Sequence, residues 1–156
     1  MAKELYRTVV SCSYVAGTTG QGLSKSDNRQ SLAVVLAPNS DIDNATPKVQ
    51  KGAPTSKDIY GVLLYIDEGS ERAAVCTDGI VRMRMDATLG ATRTFADCRH
   101  GVQMTDTADS NGLVKVSADE KGNGQIVGVF VNPGPNLPLR YDLLVDLGRH
   151  PAQATP

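Results

Sequence analysis

Residues 57–85 read KDIYGVLLYIDEGSERAAVCTDGIVRMRM. Ile59 to Ile66 is rich in β-branched and aromatic residues and is broken by Gly61, which favours a strand over a helix. Asp67-Glu68-Gly69-Ser70 is a turn cluster, and Ala73 to Cys76 is a second short strand. Thr77-Asp78-Gly79 contains an Asp-Gly pair, a tight-hairpin signal. Ile80 to Met85 then alternates apolar and charged residues, the period of a half-buried strand. The stretch predicts a three-stranded meander, and it carries no obvious chemistry.

The rest of the chain repeats this punctuation. The sequence predicts strands over Leu5–Val15, Ser31–Ala37, Arg93–Cys98, Gly101–Thr105, Leu113–Val116, Gln125–Val131 and Arg140–Leu147, separated by Gly-, Asn-, Asp- and Pro-rich turns. Leu23–Ser31 is polar, with room for one short helical turn. Tyr60-Gly61-Val62-Leu63-Leu64 is echoed by Val127-Gly128-Val129-Phe130-Val131. A glycine inside a strand marks a bulge or a close backbone approach. The expected fold is all-β, a β-sandwich or barrel-like domain, with an extended N-terminal arm and a long loop. Residues 1–56 are read as N-terminal strand, arm and Pro/Asn/Asp-rich loop, 57–147 as the body, and 148–156 as a frayed tail. Pro38–Ser56 has only Ile42, Val49 and Ala53 as hydrophobic punctuation. A structureless segment of that length is a surface loop or an arm lying on a neighbouring subunit.

Composition narrows the function. The chain has 156 residues, enough for one domain, and neither Trp nor a long helical pattern. Sixteen basic against seventeen acidic residues give a net charge of −1, without the basic excess of a nucleic-acid binder. Three cysteines, Cys12, Cys76 and Cys98, form no C-x-x-C pair, which argues against a disulfide framework and a structural zinc site. The N-terminus has no apolar signal-peptide core, and no apolar run approaches the ~20 residues of a membrane span. A soluble protein made in a reducing cytosol is expected.

Candidate chemistry is sparse. Gly17-Thr18-Thr19-Gly20-Gln21-Gly22 lacks the Gly-Lys-Ser/Thr of a phosphate loop and the helix behind it, and reads as a flexible connection. Cys98 and His100 share a strand face, but a small buried cysteine is the simpler reading. The acidic pairs Asp67/Glu68, Asp106/Asp109 and Asp119/Glu120 sit in turn clusters, where carboxylates satisfy backbone groups. No catalytic, cofactor or metal residues are assigned. Arg82 and Arg84 alternate with apolar residues, either as a solvated sheet face or as a charged ring on a subunit interface.

Tyr60–Leu64, the acidic turn Asp67–Glu71, Ala73–Val75, Asp78–Met83, Gln125–Val131 and Tyr141–Leu147 taken together resemble the head decoration, or capsid cement, proteins of tailed bacteriophages. The resemblance covers roughly Lys57 to Leu147. It implies a tulip- or jelly-roll-like β domain acting as a homotrimer on the outer capsid surface of the virion. The partner implied is the major capsid protein, with no cofactor, nucleic acid, membrane or enzymatic activity. Lys3, Leu5, Tyr6, Arg7, Ile42, Val49, Arg82 and Arg84 are the candidate contact residues. Two other readings stand beside it. A small trimeric β-barrel accessory protein of a virion would bind a ligand or receptor in a pocket lined by Tyr60, Tyr65 or Tyr141. A trimeric β enzyme would gather carboxylates such as Asp106 and Asp109 around a metal.

Overall fold

The computed structural model describes residues 7–38, 47–54, 56–86, 100–117, 123–132 and 140–149. Among these residues nine strands carry the fold: β1 (Arg7–Tyr14), β2 (Ala33–Leu36), β3 (Lys48–Lys51), β4 (Gly61–Asp67), β5 (Arg72–Arg84), β6 (Gly101–Met104), β7 (Val114–Ser117), β8 (Gln125–Asn132) and β9 (Arg140–Asp146). The one helical element among the described residues is a single 3₁₀ turn, Lys25–Asp27, where the polar Leu23–Ser31 segment has room for it. No helix among them is long and apolar enough to cross a membrane.

Five strands close into a ring in the order β1-β3-β2-β4-β5, with β5 pairing back onto β1. Only β1–β3 is parallel, through Ser13↔Lys48 and Tyr14↔Val49. The other four strands extend the sheet from β5 as β5-β9-β8-β6-β7. This second sheet curls until its last strand returns to the end of β5. There Met85 bridges Val114, and the Asp86 N–H donates to the Val114 carbonyl at 2.9 Å. The expected all-β, barrel-like domain is the fold observed.

Two cores result. Cys12, Leu23, Val34, Val49, Leu63, Ile66, Ala73 and Val75 fill the ring. Val81, Met83, Met85, Val102, Met104, Val114, Ile126, Leu143, Val145 and Leu147 fill the second sheet, joined by Ala33, Ile59, Val62 and Cys76. Neighbouring residues therefore face opposite cores: Ala33 and Val34 on β2, Val62 and Leu63 on β4, Val75 and Cys76 on β5. Alternation is the geometric rule of a strand, so a wall buried on both faces must be apolar at successive positions. That is why Leu32–Val35 and Val62–Leu64 read as unbroken apolar runs.

The meander needs one correction. Arg72–Arg84 is a single thirteen-residue strand, and Asp78-Gly79 is not a hairpin turn. Gly79 has φ of +92°, but the chain bends there without reversing. Asp78 Oδ1 accepts the Gly79 N–H at 2.8 Å and the Arg149 N–H at 2.7 Å, while Leu147 N–H donates to the Gly79 carbonyl. The register against β1 jumps from Thr8↔Asp78 to Val9↔Cys76, leaving Thr77 unpaired. A bulge bends a strand and adds twist. Here it passes β5 from the ring, where it pairs with β1 and β4, to the second sheet, where it pairs with β9.

Two further expectations change. Lys48–Lys51, inside the Pro38–Ser56 segment, is strand β3 and completes the ring, so three strands of residues 1–56 belong to the barrel wall. The start of the tail is held: the Arg149 guanidinium donates to the Ile59 and Tyr60 carbonyls. Burial there pulls the Arg149 pKa below its ordinary value. The glycines of the echo divide the two expected roles between them. At β8 the register jumps between Ile126 and Gly128, so Gly128 borders a bulge. At β4 the bulge lies further on, between Leu63 and Tyr65, and Gly61 is instead a close approach. A Cβ at Gly61 would stand 2.3 Å from the Cys76 carbonyl oxygen.

Candidate interaction surface

The outer face of the second sheet carries three cross-strand rows: Ile80↔Asp146↔Gln125, Arg82↔Leu144↔Gly128 and Arg84↔Asp142↔Phe130. Ile80 is 37% exposed, Phe130 39% and Val127 43%. The Arg82 guanidinium lies over the Phe130 ring at 4.2 Å from its centroid. Such a stack contributes about 0.5–1 kcal/mol when exposed, and more once a partner excludes water. The absence of a side chain at Gly128 leaves room between Leu144 and the neighbouring strand, where a Cβ would meet Leu144 only at ordinary contact distance.

At the edge of this face, where the ring meets the second sheet, a groove of about 300 Å³ opens. Val62–Leu64 of β4, Ile80–Arg82 of β5 and Leu144 of β9 line it, together with Arg7, Arg29 and Ser31. One wall is the turn after the 3₁₀ element. Arg29 and Ser31 both adopt left-handed backbone, with φ of 66° and 53°. Non-glycine residues hold that conformation only where their surroundings impose it. Asn28 supplies part of the restraint, accepting the Ile66 N–H at 2.6 Å and donating to the Ile66 carbonyl. The Arg84 N–H donates to the Ser31 carbonyl at 2.9 Å, and the Arg84 side chain donates to Gln30 Oε1. Arg140 reaches the Arg29 carbonyl at 2.9 Å and pairs with the buried Asp142, also at 2.9 Å. The turn is thus clamped from the second sheet by two arginines. Burial, then the neighbouring Arg140 charge, lowers the Arg84 pKa.

The candidate contact residues separate accordingly. Arg7 and Arg82 are exposed and line the groove. Arg84 shares the face with Arg82 but is half-buried and committed to the Gln30–Ser31 turn. Val49 is fully buried in the ring core and is corrected from contact to packing residue. Lys3, Leu5, Tyr6 and Ile42 lie outside the described residues, as does Cys98. Arg29 carries no signal in the sequence, where it is one residue of the polar Leu23–Ser31 run.

Tyr60 packs beside the ring core, where burial and then the neighbouring Cys12 raise its pKa, and Tyr141 packs against the other core. Tyr65 is 56% exposed. Asp106 pairs with Lys115 at 2.9 Å, and Asp109 sits at φ of 63° in a turn. Among the described residues no group of three or more His, Cys, Asp or Glu could hold a metal. Comparison with known proteins finds no matching family model, no matching curated protein and no matching solved structure.

Proposed function

We propose that this chain is a structural, non-enzymatic decoration protein of a tailed-phage head, which binds the outer surface of the shell and clamps neighbouring major capsid subunits as a homotrimer. The observation that carries the reading is the outer face of the second sheet, where Ile80, Val127 and Phe130 are exposed around the Arg82–Phe130 stack. Phenylalanine and arginine are enriched at protein interfaces, and arginine at their binding hot spots. The resemblance of residues 57–147 to capsid cement proteins supports the same reading.

The physics of such a role is modest contacts multiplied. Each decoration subunit needs only a small interface, because a trimer engages several shell subunits at once and its second and third contacts form at high effective concentration. Two cores built around one strand supply the stiffness that keeps those contacts in register.

The test is add-back of the purified protein to heads lacking it, read by sedimentation and electron microscopy. Saturable binding at three-fold or quasi-three-fold points is expected, with a trimer by light scattering. Phe130→Ala should weaken attachment by about 1–2 kcal/mol, roughly five- to thirty-fold. A stable monomer without affinity for heads overturns the proposal.

A further inference from the structure

The groove beside this face carries a charge imbalance that no ion pair among the described residues offsets. Three of its ten lining residues are arginines, Arg7, Arg29 and Arg82, and none is acidic. The ion pairs among the described residues are Lys51–Asp27, Lys115–Asp106 and Arg140–Asp142, so none of the three groove arginines has a carboxylate partner there. They come from β1, the 3₁₀-turn exit and β5, far apart in sequence, and the fold brings them to one cavity. Like charges gathered in one place repel, and in a chain of net charge −1 the concentration is local.

We infer that the groove is a docking site for an acidic peptide segment, one that presents carboxylate side chains to Arg7, Arg29 and Arg82 while its aliphatic portions lie on Leu64, Ile80 and Leu144. That the segment belongs to a shell subunit rests on the function proposed above; the acid-binding chemistry does not. Three features favour a peptide carboxylate. Guanidinium groups offer a planar fork of donors that matches a carboxylate with two parallel hydrogen bonds. The floor is aliphatic, which suits side-chain stems. Single-stranded nucleic acid is read through stacking platforms along a basic track, and the one aromatic ring of this face, Phe130, is already covered by Arg82. The turn carrying Arg29 is held in left-handed backbone by Arg84 and Arg140, so that wall is set before a ligand arrives. A pre-ordered wall reduces the ordering cost of binding.

The direct probe is a fluorescent poly-L-glutamate peptide titrated into the free full-length protein, with poly-L-glutamine and a twenty-nucleotide oligo-dT in parallel arms. Glutamate peptide is expected to bind and glutamine peptide not to, with affinity falling as salt rises. Each of Arg7→Gln, Arg29→Gln and Arg82→Gln should weaken binding about two- to ten-fold, and the triple variant about a hundred-fold. Lys25→Gln, the same charge change at an exposed site outside the groove, should leave it within about two-fold. Circular dichroism of every variant confirms the fold. No glutamate binding, equal binding by the triple variant, or tighter binding of oligo-dT overturns the inference. The same variants added to decoration-free heads then separate the two claims. Heads that bind wild type and triple variant equally refute the groove as the shell contact, whereas heads that bind neither, with glutamate binding intact, refute the decoration role alone.

Discussion

Gly61 and Gly128 occupy the same place in two similar stretches of sequence, yet replacing each with alanine should give opposite results. A Cβ at Gly61 would lie 2.3 Å from the Cys76 carbonyl oxygen and 2.7 Å from Val75 Cγ1. That is about an ångström inside ordinary carbon–oxygen contact. β4 cannot back away freely, because Val62 and Leu63 are fixed in the two cores on either side of it. Relief requires parting β4 from β5, which stretches the ladder around Val62↔Cys76. Overpacking costs about 1–3 kcal/mol, and one or two weakened ladder bonds add about 1 kcal/mol each. The entropy that alanine removes from the unfolded chain returns only about 0.4–1 kcal/mol. Gly61→Ala should therefore lose about 1–5 kcal/mol, a fall of roughly 2–20 °C in Tm for a domain of this size. A Cβ at Gly128 would meet Leu144 Cβ at 3.5 Å, an ordinary contact, so Gly128→Ala should be neutral or gain up to about 1 kcal/mol. Urea titration followed by far-ultraviolet circular dichroism measures both. A gap under about 1 kcal/mol, or Gly128→Ala as the weaker variant, would refute the double-faced wall as the reason for Gly61.

Other outcomes follow from single sites. Gly79→Ala forces a side chain into left-handed backbone at the bend of β5 and should cost about 1–3 kcal/mol by thermal melting. Asn123 is buried, accepts the Ile59 N–H at 3.0 Å and donates to the Lys57 carbonyl at 2.9 Å. Asn123→Ala strands the Ile59 donor and should lower the urea midpoint by an amount equivalent to about 1–3 kcal/mol. The Lys115 ammonium, by hydrogen bond and then by charge, holds the exposed Asp106 carboxyl below its ordinary value of 3.8. A depressed folded-state pKa stabilises the protein above 3.8, and that contribution is lost as pH falls through the depressed value. Lys115→Met should return the Asp106 titration, followed by carboxyl-carbon NMR, toward 3.8; an unmoved titration would exclude the pairing.

Local signals located most strands, because apolar runs bounded by turns survive folding as strands bounded by turns. They failed where distant strands decide the outcome. Asp78-Gly79 makes a hairpin in isolation, but β1, β9 and the Arg149 N–H hold both sides of it extended. Lys48–Lys51 buries only Val49, too little periodicity to show a strand whose partners lie on β1 and β2. The groove was half legible. Arg82 was conspicuous on an alternating strand and Arg7 at the start of another, whereas Arg29 owes its place to a backbone turn clamped by Arg84 and Arg140, a restraint visible only in three dimensions.

β5 belongs to both barrel-like halves, and this has a mechanical consequence. Load applied to the face bearing Arg82 and Phe130 travels along covalent backbone into the ring, with no linker between to act as a hinge. Stress is shared across the ladders on both flanks of one strand instead of being concentrated at a joint. Neither half can yield alone without tearing the strand it holds in common, so the molecule should fail, if pulled or heated, in one step.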